Sequence, residues 1–253
     1  MKKFKLTTET KINHFEVTLF RIEAITDFKS IKKGGKGGWV EKEDNISGDA
    51  WVSGDAEVFG DAEVSGGAMV SGGAMVSGDA RVFGDAEVSG DAWVSGGAEV
   101  SGGARVFGGA RVFGGAEVSG DAWVSGGARV FGGARVSGDA RVSGGARVSG
   151  GARVFGDARV SGDAWVSGDA WVSGDARVSG DEFNYSPLQI QGKKHFVTEC
   201  RKGFLKIGCI ELSVDEWKKH FKKIGRENNY SENEIKEYEL YINLAIELQK
   251  LRS

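Results

Sequence analysis

Valine recurs at every sixth residue from Val52 to Val178, and an alanine stands two residues before each one, from Ala50 to Ala176. The unit Gly-(Asp/Gly)-Ala-x-Val-(Ser/Phe) runs from Gly48 to Ser179 as 22 consecutive copies without insertion. Side chains alternate across a strand, so Ala and Val share one face while x and Ser/Phe share the other. The Gly-Asp or Gly-Gly pair that follows is turn chemistry. A single unit cannot bury an apolar face, so copies must stack. Three strands and three corners close a triangular coil of three units. The pattern predicts an all-β solenoid of about seven triangular coils, a rod of about 35 Å at a spacing of roughly 4.8 Å per coil.

The same phase reaches upstream through Val40 and Ile46, so Trp39-Val40 reads as a degenerate opening unit in which Glu41 to Asn45 replace a corner. Linker and collagen readings fail. Linkers lack a branched aliphatic at every sixth place, and collagen needs glycine every third residue with abundant proline. The chain has one proline, Pro187, outside the repeat.

Open solenoid ends would expose unpaired edges, so caps are expected. Residues 1–45 read as an N-terminal β cap, 46–180 as the hexapeptide solenoid and 181–253 as a C-terminal α+β domain. In the first cap, His14 to Ile22 alternates as a strand with Phe15, Val17 and Leu19 on one side, and Phe4-Lys5-Leu6 is its hairpin partner. Gly34 to Gly38 reads as a flexible entry to the first coil, without the spacing of a phosphate loop. In the last domain, Phe196–Cys200 and Phe204–Cys209 form a hairpin. Ser213/Glu216 and Ser231/Glu234 are capping boxes that open two helices. The last helix runs to about Leu251. Its wide apolar face, with Ile235, Tyr238, Ile242 and Ala245 beside Leu240, Leu244, Leu248 and Leu251, would pack on the coil end or on a second chain.

The net charge of −3 hides an asymmetry, because the repeat carries 10 Arg against 12 Asp and 5 Glu while the ends are lysine-rich. Nothing is basic enough to make nucleic acid the default partner. No signal-peptide pattern and no 18-residue apolar run is present, so a soluble cytoplasmic protein without membrane contact is expected. Cys200 and Cys209 lack partners at zinc spacing and read as reduced core thiols.

Hexapeptide coils are best known from acyltransferases, whose pattern of an aliphatic, three variable residues, a small residue and one more is matched by Val52 to Glu57. Those enzymes typically use a histidine as general base, and many carry a loop that closes over coenzyme A. The repeat here holds no histidine and no insertion; His14, His195 and His220 all lie outside it. A general base must sit beside its substrate, so no catalytic residue is assigned. The corner aspartates lack the nine-residue period of calcium-binding rolls, so no metal or cofactor is expected.

Information lies in the outward positions. Units three apart stack, which yields three faces. The first shows Trp51, Met69, Glu87, Arg105, Trp123, Arg141, Arg159 and Arg177; the third runs from Glu63 to Trp171. The second shows Glu57, Met75, Trp93, Arg111, Arg129, Arg147 and Trp165, joined by Phe59, Phe113 and Phe131. Asp121, Asp139, Asp157 and Asp175 share one corner, where the neighbouring arginines could neutralise them. Eleven outward Trp and Phe residues call for an occupant or for mutual stacking. Arg and aromatic residues are the usual interface anchors. The expected binding strip is Arg111, Phe113, Arg129, Phe131 and Arg147, flanked by Trp93 and Trp165.

The segments Thr18-Leu19-Phe20-Arg21-Ile22, Asp27-Phe28, Ile31-Lys32-Lys33-Gly34 and Gly37 to Ser47, the Gly-Asp-Ala-Trp-Val units, Lys206-Ile207-Gly208-Cys209 and Asp215-Glu216-Trp217 resemble a family of hexapeptide-repeat proteins carried by bacteriophages and prophages. The resemblance implies a left-handed parallel β-helix in a bacterial cytoplasm. It supplies no catalytic or binding residues. By analogy with phage accessory proteins, a non-catalytic protein that binds a host defence or regulatory factor is expected. Homo-oligomers through the C-terminal helices or the aromatic face are also expected. The alternatives are a self-assembling structural solenoid, a nucleotide or small-ligand binder, and a hexapeptide acyltransferase.

Overall fold

The computed structural model describes residues 2–252. Its body is a parallel β-solenoid of about eight turns. Partners lie 18 residues apart, as in Glu87↔Arg105 and Val88↔Val106, so three units complete each turn. Main-chain bonds join the coils, with the Glu87 amide donating to Ala104 O and the Ser89 amide to Val106 O, both at 2.9 Å. The regular strands are only two residues long, the x residue and its valine, extended to three at Arg111–Phe113 and Arg129–Phe131. Alanine lies outside them, yet the Ala and Val rows form one continuous buried core from Ala50 to Val178.

Three sheets result. The first-face sheet has 8 strands, from Trp51–Val52 to Arg177–Val178. The third-face sheet has 7, and the second-face sheet has 11. The last is longest because both ends add to it. The N-terminal strands β1 (Phe4–Ile12), β2 (Thr18–Ala24) and β3 (Lys36–Val40) precede it, and Glu182–Phe183 follows Trp165–Val166. Trp39–Val40 pairs in parallel with Glu57–Val58, and Ile46 bridges to Val64. These added rungs carry the count past seven turns. Where the corner is missing, Glu43–Asn45 makes a 3-10 turn. Buried Asn45 donates to Gly60 O at 3.1 Å and Ala62 O at 2.9 Å, replacing bonds that a regular corner would make.

Two features of the N-terminal region depart from expectation. The strand begins at Thr18, because Asn13 to Val17 is a turn: Asn13 Oδ1 accepts from the amides of Phe15 and Val17 at 2.9 and 3.0 Å. Leu19 is buried while Phe15 is 44% exposed. The glycine run is no flexible entry either. Gly37 and Gly38 lie within β3, and a Cβ on Gly38 would stand 2.6 Å from Val52 Cγ1 and 2.8 Å from Ala56 O. Glycine is needed there because strand backbone crosses directly over the first coil.

At the other end, buried Phe183 closes the core, with Phe196 and Tyr185 packed against it. A four-stranded antiparallel sheet follows, ordered Gln189–Gln191, Phe196–Arg201, Phe204–Ile207, Ile210–Ser213. Two helices cover its far side, α1 (Val214–Glu227) and α2 (Glu232–Arg252). Both capping boxes form, through Ser213 with Glu216 and Ser231 with Glu234. Tyr238, Ile242 and Ala245 of α2 pack against Trp217 of α1 and Val197 and Leu205 of the sheet. The helix therefore docks within its own domain, not on the coil end. Leu240, Leu244 and Leu251 remain 68%, 46% and 83% exposed. Among the described residues no helix is long and apolar enough to cross a membrane.

Candidate protein-binding face

The second face presents its x positions as a ladder in register: Met75, Trp93, Arg111, Arg129, Arg147, Trp165, then Glu182. Each side chain projects because the valine beside it points inward. Phe113 and Phe131 end adjacent strands and stack in parallel, with ring centroids 5.1 Å apart and planes 2° apart. Both are half-buried, and all three arginines are exposed.

The tryptophans bracket the arginines. Arg111 lies over Trp93 and Arg147 over Trp165, each 5.8 Å from the indole. Trp93 Nε1 donates to Ser77 at 3.3 Å, and Trp165 Nε1 to Ser149 at 2.9 Å. Both serines are buried beneath the rings. The same offset of 16 residues places Phe107 edge-on to Trp123 and Phe155 edge-on to Trp171. The Ser/Phe position thus orients the tryptophan of the next coil. The exposed Phe15 extends the aromatic surface, with centroids 5.5 Å from Phe59 and 5.9 Å from Trp93. Residues such as Ser77, Ser149 and Phe15 escaped sequence reading. The offset of 16 is a usable signal for the serines, whereas Phe15 reaches the face only through the Asn13 turn.

Among the described residues three of the ten arginines of the repeat form ion pairs, and none of the three lies on this strip. Elsewhere in the repeat Arg81 pairs with Glu99 at 3.6 Å, Arg105 with Glu87 at 3.5 Å and Arg135 with Glu117 at 3.1 Å. Among the described residues Arg111, Arg129 and Arg147 have no carboxylate within 4.0 Å. The ladder explains why: each paired arginine has a glutamate one rung away, whereas the rungs beside these three hold Trp93, one another and Trp165. Glycine fills the second corner place on both sides of each arginine, at Gly109/Gly115, Gly127/Gly133 and Gly145/Gly151. Acids appear only at the border, where Asp163 and Asp169 fold back toward Gly145 and Gly151. Like charges in register on adjacent strands repel, so this ladder is held against its own field.

Two expectations about the outside are corrected. The Asp121, Asp139, Asp157 and Asp175 ladder makes no ion pair with the arginines beside it; Arg105 and Arg141 instead sandwich Trp123 at 5.6 and 4.9 Å. Guanidinium stacking on the indole competes for the same group. Trp51 and Phe59 point outward from the coil, but the N-terminal region covers both, with Phe28 edge-on to Trp51 at 5.5 Å. The two thiols also divide. Cys200 is buried, and burial pushes its pKa up to about 12, whereas Cys209 is exposed because the expected strand stops at Ile207 and leaves Cys209 in the turn before Ile210–Ser213. We expect native protein at neutral pH to take up one iodoacetamide, at Cys209, and unfolded protein to take up two, as counted by intact mass.

A family model described as the YdcK beta solenoid repeat matches residues 134–150 and 152–168. Each matched segment is about one coil and lies in the arginine-rich half, so the similarity is to the repeat. No curated protein matches the chain.

Proposed function

We propose that the chain is a non-catalytic binding protein of phage or prophage origin. Its second face engages an acidic protein surface, with a host defence or regulatory factor as the target. The observation that carries this reading is the acid-free window across three coils. Arg111, Arg129 and Arg147 stand in register with no carboxylate partner, glycine corners leave them unobstructed, and Phe113 and Phe131 form an apolar ledge beside them. An acidic partner would relieve the repulsion along the ladder, and the indoles of Trp93 and Trp165 would flank the contact.

The test compares wild type with Arg111→Glu/Phe113→Ala/Arg129→Glu/Phe131→Ala in capture from bacterial lysate. Bound proteins are then mapped by cross-linking to the second face. We expect at least one partner to be lost by the variant, with a drop in recovery of about tenfold or more. Equal recovery of every partner by both proteins would remove this reading.

Self-association accompanies it. Leu240, Leu244 and Leu251 leave an apolar stripe along α2, which supports pairing through the C-terminal helices. Leu240→Lys/Leu244→Lys is expected to convert a dimer to a monomer in light scattering. An unchanged mass would exclude α2 as the contact.

A further inference from the structure

Between the last coil and the C-terminal sheet lies an open cavity of about 450 Å³, within the size range of small-molecule sites. One wall is the end of the first face, with Asp175 and Arg177. The other is the solenoid-facing side of the sheet. Alternation along Phe196–Arg201 turns Phe196, Thr198 and Cys200 toward the solenoid, and Phe196 reaches its core. Lys206 stands directly opposite Thr198 and so shares that side.

The lining is charged in one sense. Arg177, Lys194 and Lys206 come from three separate segments, and Asp175 is the one carboxylate beside them in the lining. Neither Arg177 nor Lys206 has an ion-pair partner among the described residues. The acid nearest Lys206 in register, Glu211, is held by Arg201 at 2.6 Å. Lys194 is anchored by the Asn229 carbonyl at 2.7 Å and lies 4.5 Å over the Tyr230 ring. Thr198 is a second, independent sign. It is only 3% exposed, it lines the cavity, and its hydroxyl has no hydrogen-bond partner among the described residues. Among the described residues the fully buried side-chain polar atoms without a partner are Arg21 Nε and Trp39 Nε1, so the Thr198 hydroxyl opens on the cleft, where it can donate to a ligand acceptor.

We propose that this cleft binds a phosphomonoester. A phosphate carries a charge near −2 at neutral pH and offers three acceptor oxygens. That suits the uncommitted Arg177 and Lys206, the added field of Lys194 and a hydroxyl donor, where the two oxygens of a carboxylate would leave a donor unanswered. Phe196 supplies an apolar wall beside the charged floor. The site is separate from the second-face strip, and neither depends on the other.

AMP is the probe, with adenosine as the uncharged control. Binding is read by the AMP 31P resonance and by the alkylation rate of Cys209, which lines the cleft. We expect AMP at millimolar concentration to shift the resonance and slow alkylation, and adenosine to do neither. Arg177→Gln and Lys206→Gln each remove a group without a structural partner. Each should leave the circular dichroism unchanged and raise the half-saturating AMP concentration by about tenfold or more. Arg129→Gln, on the other site, should leave AMP binding unchanged. Absence of both signals in wild type would overturn the proposal. So would equal weakening by Arg129→Gln, which would mark diffuse attraction to the arginine-rich rod.

Discussion

Val130→Asp is expected to abolish the cooperative unfolding transition of the solenoid. Val130 is fully buried and pairs in register with Val112 above and Val148 below. Nothing in the axial core can donate to a carboxylate, since its walls are Val and Ala. An unpaired buried charge costs several kcal/mol, comparable with the whole stability of a typical domain at about 5–15 kcal/mol. The damage has a direction. In a stack where each coil touches only its neighbours, one disrupted coil uncouples those on either side. Circular dichroism during heating should therefore show broad, separated transitions where wild type shows one. Val130→Ala is the graded control, expected to cost about 1–3 kcal/mol with cooperativity retained. A sharp single transition for Val130→Asp near the wild-type midpoint would mean that the valine row is not the axis of the fold.

Adjacent glycines should respond to the same substitution with opposite signs. Gly126 has φ +66°, and an added Cβ would meet Gly144 N at 3.1 Å, both of them backbone constraints that cannot rotate away. Gly126→Ala is expected to destabilise by about 1–3 kcal/mol through left-handed strain and coil separation. Gly127 lies outside the left-handed region, and its Cβ would make ordinary contact with Gly144 O at 3.5 Å. Gly127→Ala should be neutral or stabilising by up to about 1 kcal/mol, because alanine restricts the unfolded chain. Denaturant midpoints of the two variants check this, and a shift in the same direction for both would overturn the argument. The contrast also explains why aspartate replaces the second corner residue in many units and never the first.

The solenoid was legible because one rule governs its whole length. Six residues per strand and corner determine which side chains are inside, and three corners determine which units meet, so every ladder neighbour from Trp51 to Arg177 could be named in advance. The ends obey no repeat. Phe15 leaves its expected strand because a side-chain amide, Asn13, makes a turn that no periodicity records. The glycine run before Trp39 resembles a hinge in composition, but its purpose is close approach of backbone to Val52 and Ala56. Placement of the C-terminal sheet between helices and coil depends on Phe196 facing the rod, and amphipathic pattern alone assigns no address to a face. Seven strip residues could be placed on one sheet. Their freedom from carboxylates rests on which residues stand one rung away, Trp93, Trp165 and one another rather than glutamate, a property of neighbours that counting whole-repeat charge conceals. The phosphate cleft lay beyond reading altogether, since it joins Arg177 to Lys206 across two folding units.

Screw symmetry links length to geometry in this molecule. Adding or losing 18 residues would change the rod by one layer, about 4.8 Å, and return the C-terminal domain to the same azimuth relative to the N-terminal strands. A change of six residues would keep the local packing but swing everything downstream by a third of a revolution. Duplication within such a gene can thus act as a dial, moving a terminal domain around the shaft without designing a new joint.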